Sequence, residues 1–184
     1  MGKQLGFLLD LNKCVGCKGC EIACLNEHHF DQVHYRRVID IVKDKRGLKF
    51  LSLACNHCAN PECIRVCQKQ CFYKRRDGIV LHRPQHCNGC QSCVAACPFQ
   101  VPKVNKRTHK VSKCNFCVER IDKGLAPACV DACVVGALQA VDLSEQMELS
   151  GQMTLACLPI IKFTRPSLRV ILPKEPRCFW RKGR

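Results

Sequence analysis

Aromatic residues are scarce in this chain of 184 residues, with one Trp, two Tyr and eight Phe. They are not interleaved with basic residues, so there is no stacking platform of the kind that holds single-stranded nucleic acid. No stretch approaches the ~20 consecutive apolar residues of a membrane span. The most apolar late stretch, 155–172, is interrupted by Lys162, Arg165 and Arg169. The start, MGKQLGFLLDLNKC, has one lysine, Lys3, before a short apolar patch broken by Asp10, and does not read as a secretory signal. A phosphate-binding glycine loop and a G-x-S-x-G elbow are both missing, which excludes P-loop and serine-hydrolase chemistry. Apolar side chains are also few. The 47% counted as hydrophobic includes 19 cysteines; without them the fraction is about 36%, low for a globular core. Apolar burial alone would not hold such a chain together.

What is abundant is cysteine. The chain is too long to be a small disulfide scaffold by default, and an odd count cannot pair completely. Spacing sorts sixteen of the cysteines into four runs. Cys14, Cys17, Cys20 and Cys24 form C-x2-C-x2-C-x3-C, and Cys55, Cys58, Cys63 and Cys67 form C-x2-C-x4-C-x3-C. Cys87, Cys90, Cys93 and Cys97 repeat the first spacing and are followed by Pro98. Cys114, Cys117, Cys129 and Cys133 form C-x2-C-x11-C-x3-C. Cys71, Cys157 and Cys178 are left over. Three thiolates at i, i+3 and i+6 in a loop wrap one face of an iron–sulfur cube. The fourth, one helical turn further on as in 92–97, is carried toward a neighbouring cube. This is the bacterial ferredoxin arrangement, in which the last cysteine of each run serves the other cluster. Four runs make two such units and four [4Fe–4S] clusters. Zinc is the main metal alternative. The fourth run alone could pass for a zinc site, whereas three closely spaced thiolates in the first and third runs would crowd one tetrahedral ion.

The whole pattern resembles the four-cluster ferredoxin-type iron–sulfur (B) subunits of molybdopterin oxidoreductases, most closely those of the anaerobic dimethyl sulfoxide reductase type. The segments that carry the resemblance are GFLLDLNKCVGCKGCEIAC at 6–24, SLACNHCANPECIRVC at 52–67, KRRDGIV at 74–80 and CNGCQSCVAACPFQVP at 87–102. KCNFCVERIDKGLAPACVDAC at 113–133 and TRPSLRVILP at 164–173 complete it. The resemblance implies that Cys14, Cys17, Cys20 and Cys133 hold one cluster, and Cys114, Cys117, Cys129 and Cys24 a second. Cys55, Cys58, Cys63 and Cys97 would hold a third, and Cys87, Cys90, Cys93 and Cys67 a fourth. It implies an outer ferredoxin unit from 1–50 and 101–145, an inner unit from 51–100, and an extended basic docking tail at 146–184. The function it implies is electron transfer, without catalysis by this chain, between a quinol-oxidising membrane anchor and a molybdopterin catalytic subunit. The location would be cytoplasmic or membrane-associated within that complex, or export bound to a signal-bearing partner. Polysulfide, thiosulfate, tetrathionate, nitrate and nitrite reductases and formate dehydrogenases use similar subunits. A stand-alone polyferredoxin is the alternative of another kind, and a zinc-binding nucleic-acid protein the remote one.

Two departures from the family pattern stand out. Gln68 and Val134 follow Cys67 and Cys133 where proline is common, a change that could alter amide hydrogen bonding to the cluster. Cys71 stands where a small residue is common and reads as a small buried thiol. The fold expected is α+β. The strand LGFLLDL leads into the first cluster loop; hairpins are expected across 35–53, 72–81 and 101–111, and short helices at 61–67 and 118–123. His57, between Cys55 and Cys58, is expected to neighbour a cluster and donate a hydrogen bond to it. Basic residues such as Lys74, Arg75 and Arg76 would raise the potential of a cluster they approach. The formal charge of +15 falls to about +7 once four oxidised cores with their thiolates are counted. The segment 156–184 has eight basic residues against Glu175, suited to an acidic patch on the catalytic partner.

Overall fold

The structure, a computed structural model, describes residues 2–28, 34–43, 48–144, 163–172 and 178–179. The apolar run LGFLLD makes strand β1 (Leu5–Asp10). It is the centre of a three-stranded sheet and is buried on both faces, which explains why it lacks a clean polar alternation. On one side β8 (Leu138–Asp142) pairs antiparallel, with Phe7 opposite Ala140. On the other β9 (Leu168–Ile171) pairs parallel, with Phe7 opposite Leu168. Part of the C-terminal segment is thus built into the folded body rather than held apart as a tail.

The expected hairpins form. β2 (Arg37–Lys43) pairs antiparallel with β3 (Leu48–Leu53). β4 (Phe72–Lys74) pairs with β5 (Val80–His82), and β6 (Lys103–Val104) with β7 (Val111–Ser112). β10 (Cys178–Phe179) adds to the free edge of β2. Helices are short: α1 (Gly19–His28) has ten residues, and α2 (Glu62–Arg65), α3 (Ser92–Ala96), α4 (Val118–Ile121) and α5 (Ala128–Asp131) have four or five. Helices of this length do not stand alone in water; α1 packs on α5, and α2 on α3. The result is the expected α+β protein of short strands and short helices.

One apolar cluster lies between the β1 sheet and β3. Leu9, Leu11, Leu51, Ile79 and Phe116 are wholly buried in it. Phe116 stacks on Phe7 at 4.4 Å and meets the edge of His57 at 5.2 Å. Two further clusters are built largely from thiols: Cys24 and Cys114 with Tyr35 and Ala54, and Cys71 and Cys93 with Phe72 and Val111. Outside the main core, cysteine takes the place of the missing apolar residues. Cys157 lies outside the described residues.

Candidate iron–sulfur centres

The four C-x-x-C loops share one backbone feature. The residue before the second cysteine has positive φ in each: Gly16 (70°), His57 (42°), Gly89 (77°) and Phe116 (63°). Successive amides turned by a left-handed residue face one concave side and make a nest for negative charge. Glycine suits this conformation in the first and third runs. A Cβ on Gly16 would also lie 2.5 Å from the Phe50 ring, and one on Gly89 2.4 Å from the His109 carbonyl. In the second and fourth runs, non-glycine residues take the strained conformation. Their side chains are the T-shaped pair at the centre of the core, which holds them there.

A second shared feature answers the missing prolines. After Cys67, Cys97 and Cys133 the chain makes the same turn. The amides of Gln70, Gln100 and Gly136 donate to the carbonyls of those cysteines at 2.9, 3.0 and 2.9 Å, each with positive φ. Only the middle turn contains a proline, Pro98, so the turn does not depend on it. Amides reach the last sulfurs as well: Cys71 N–H donates to Cys67 Sγ (3.3 Å) and Leu138 N–H to Cys133 Sγ (3.4 Å).

Distant segments bring the thiols into neighbourhoods. Cys14 stands beside Cys133 and Cys17, and Cys20 beside Cys14. Cys24 stands beside Cys129 and Cys117, and Cys114 beside Cys24 and Cys129. Cys58 and Cys63 share Cys55 and Cys97 as neighbours, and Cys93 has Cys67, Cys87 and Cys90. These neighbourhoods also touch in series. Cys20 neighbours Cys129, Cys114 neighbours Cys55, and Cys63 packs in the cluster of Cys67 and Cys93. Two of the described thiols are exposed, Cys17 and Cys90, one at each end of that series.

Burial opposes the thiolate form of the deeper thiols, whereas hydrogen bonds at Ser92 favour it at exposed Cys90. Burial is the largest cause in pushing Cys24, Cys58 and Cys63 up to about 12 and Cys93 up to about 11, with neighbouring thiols adding to it. So many buried thiols need a strongly positive core to become thiolates. A single zinc ion with bonds of about 2.3 Å sets its sulfurs roughly 3.8 Å apart. Among the described residues, one group alone has three ligand atoms within 4.8 Å of one another, and it is Cys71, His82 and Cys87 rather than any quartet. No three thiols of one cysteine run lie that close together. Cys55, Cys58, Cys63 and Cys97 line a cavity with His57 and Lys113.

Three buried polar side chains complete the environment. His57 accepts from the Val80 N–H at Nδ1 (3.0 Å), which leaves its proton on Nε2; that atom is buried without a hydrogen-bond partner. Burial first, then Lys113, hold its pKa far below the usual histidine value, so the ring is neutral and still a donor. Lys113 is buried and donates to the carbonyls of Val80 and Cys114. Arg36, 2% exposed, donates to Ser52 Oγ at 2.9 Å and stacks 4.6 Å over Phe7. Its Nε and Nη2 have no partner. Burial disfavours its charge, but Cys129, Cys114, Cys20 and Cys24 around it outweigh that and hold its pKa above the ordinary value. Orphaned buried donors are rare unless something accepts from them, and here they sit among thiols of two neighbourhoods.

Sequence reasoning singled out His57 but not Arg36 or Lys113. The basic run it did single out divides. Lys74 donates to the Cys58 and Ala59 carbonyls at 3.1 and 3.0 Å. Arg75 is neutralised by Asp122 (2.6 Å) and Asp77 (3.0 Å), and Arg76 is exposed. Only a burial pattern, not a charge run, could have shown which cations approach the thiols.

Cysteine nests of this kind, set in a fold of short strands and helices, define a ferredoxin-type protein. Residues 47–143 match the family model described as 4Fe-4S dicluster domain, and the chain belongs to that family. It is 34% identical over 186 residues to the B component of the anaerobic dimethyl sulfoxide reductase of Escherichia coli, covering 94% of this chain and 90% of the relative. It is 36% identical over 169 residues to the B component of the tetrathionate reductase of Salmonella typhimurium, covering 89% and 68%. To the B component of the polysulfide reductase of Wolinella succinogenes it is 33% identical over 187 residues, covering 95% and 97%. Among the described residues no helix is long and apolar enough to cross a membrane.

Proposed function

We propose that the chain is the electron-transfer subunit of a molybdopterin oxidoreductase, of the dimethyl sulfoxide reductase type, and carries four [4Fe–4S] clusters. The observation that carries the reading is the set of sixteen cysteines in four nests, arranged in series with an exposed thiol at each end. When bound, each core takes up and gives back one electron. The chain's own residues do the rest. Cys14, Cys17, Cys20 and Cys133 hold the first centre, and Cys24, Cys114, Cys117 and Cys129 the second. Cys55, Cys58, Cys63 and Cys97 hold the third, and Cys67, Cys87, Cys90 and Cys93 the fourth. Amides and the His57 N–H donate to sulfur, Arg36, Lys113 and Lys74 offset negative charge, and burial excludes water. Residues 1–50 with 101–145 and residues 51–100 form the two interleaved units, and 146–184 contributes docking surface.

The ends face a molybdopterin catalytic subunit and a quinol-oxidising membrane anchor, and this chain performs no substrate chemistry. The relatives named above belong to dimethyl sulfoxide, tetrathionate and polysulfide reductases, so the terminal substrate is set by the catalytic partner. Anaerobic purification should give a brown protein with about sixteen iron and sixteen sulfide per chain, four of each per cluster. Stoichiometric zinc without sulfide would overturn the reading.

A further inference from the structure

We propose that Cys71 and His82 are reserve ligands for the iron held by Cys87 in the fourth centre; this rests on the four-centre reading above. The ligand atoms of Cys71, His82 and Cys87 all lie within 4.8 Å of one another, close enough for one metal ion to be reached by any of them. The local fold dictates the meeting. The register of β4 and β5 sets Phe72 opposite His82, and the Arg83 amide bonds to the Cys71 carbonyl at 2.7 Å. Cys71 and His82 are therefore side by side at the end of one hairpin. β7 brings the Cys87 loop against it, through the Val111 N–H donating to Cys87 Sγ at 3.5 Å.

Cys71 is 2% exposed, and its amide donates to Cys67 Sγ. It thus stands between two thiols of the same centre. The His82 ring packs on Phe72 at 4.6 Å, and its buried Nε2 has no hydrogen-bond partner. The Cys90 corner is different: that thiol is exposed and has Ser92 Oγ beside it at 3.6 Å.

Each iron of a cube has one position for a protein ligand, so three ligands cannot bind one corner together. Cys87 holds the spacing of its run and takes the position, with the other two in reach. If the Cys87 sulfur is lost, the Cys71 thiol releases its proton to solvent and its sulfur forms the new bond to iron. No electron moves. Ligation by His82 instead would use a neutral ring nitrogen, with no proton released, and leave the centre one unit less negative.

The test uses the full chain purified anaerobically. Cys87→Ser should keep wild-type iron and sulfide while changing the EPR line shape or potential of one centre. Cys90→Ser, with no reserve ligand, should lose iron, and so should Cys71→Ser/His82→Asn/Cys87→Ser. If Cys87→Ser loses as much iron as Cys90→Ser, or binds zinc in its place, the proposal fails. Should Cys87→Ser not accumulate as folded protein, Cys71→Ser/His82→Asn with Cys87 intact decides the matter. Under air that variant should release iron to a chelator several-fold faster than wild type, and an unchanged rate overturns the proposal. A wild-type chain without sulfide would overturn the four-centre reading itself, and this proposal with it.

Discussion

Replacing Arg36 by methionine removes one buried positive charge and keeps most of the volume of the side chain. Its guanidinium is surrounded by Cys129, Cys114, Cys20 and Cys24, of which the proposed assignment gives Cys20 to the first centre and the other three to the second. With an effective dielectric of about 20, a unit charge roughly 6–8 Å from an added electron stabilises it by about 2–3 kcal/mol. For a one-electron couple that is roughly 90–120 mV. Arg36→Met should therefore lower two of the four potentials by about that amount and leave the other two in place. Arg36→Lys keeps the charge, though not the planar fork over Phe7, and should restore most of the shift. The assay is an EPR-monitored redox titration of the anaerobically purified chain. Unchanged potentials, or an equal fall at all four centres, would refute the reasoning. The first result would mean that the charge is screened, and the second that it acts through the whole fold.

Three other outcomes follow from the same geometry. Cys24→Ser should alter the centre of Cys114, Cys117 and Cys129, seen as a changed EPR signal there; a change confined to the Cys14, Cys17 and Cys20 centre would contradict the pairing. Lys74→Met should lower the potential of the Cys55, Cys58, Cys63 and Cys97 centre, whereas Arg75→Met should shift none, because Asp122 and Asp77 already neutralise Arg75. Loading the apo chain with iron and sulfide should release protons. Cys24, Cys58 and Cys63, held up to about 12, carry theirs throughout pH 7–9 and must lose them to bind iron, so lowering pH opposes assembly. An indicator dye in weak buffer reads the release, and its absence would contradict thiolate ligation.

Much of the centre was legible in the cysteine spacing, because a cube imposes short fixed intervals on the loop that wraps it. The strand LGFLLDL and the hairpins of 35–53, 72–81 and 101–111 were legible for a related reason: short apolar runs separated by turn residues have few ways to pair. The helices at 61–67 and 118–123 were also placed correctly, though each proves only four residues long. Other features were hidden because they depend on contacts between residues far apart in the chain. Nothing in the sequence around 168–171 says that it pairs parallel with β1, since that partner lies about 160 residues earlier.

By itself the sequence determined the type of cofactor, the sixteen thiols in their four runs, and the α+β class, since each follows from local spacing and pattern. Tertiary structure decided which charges and donors matter. It buried Arg36 and Lys113 among thiols and neutralised Arg75 at the surface, although all three are simply basic residues in the sequence. It also let His57 and Phe116 take the left-handed conformation that glycine takes in the other two loops, because packing of each on the other offsets the strain. And it set Cys71 and His82 beside Cys87, a meeting that depends on strand register. Charge compensation, strain and ligand reach all depend on distance through space, and distance through space is fixed only when the chain has folded.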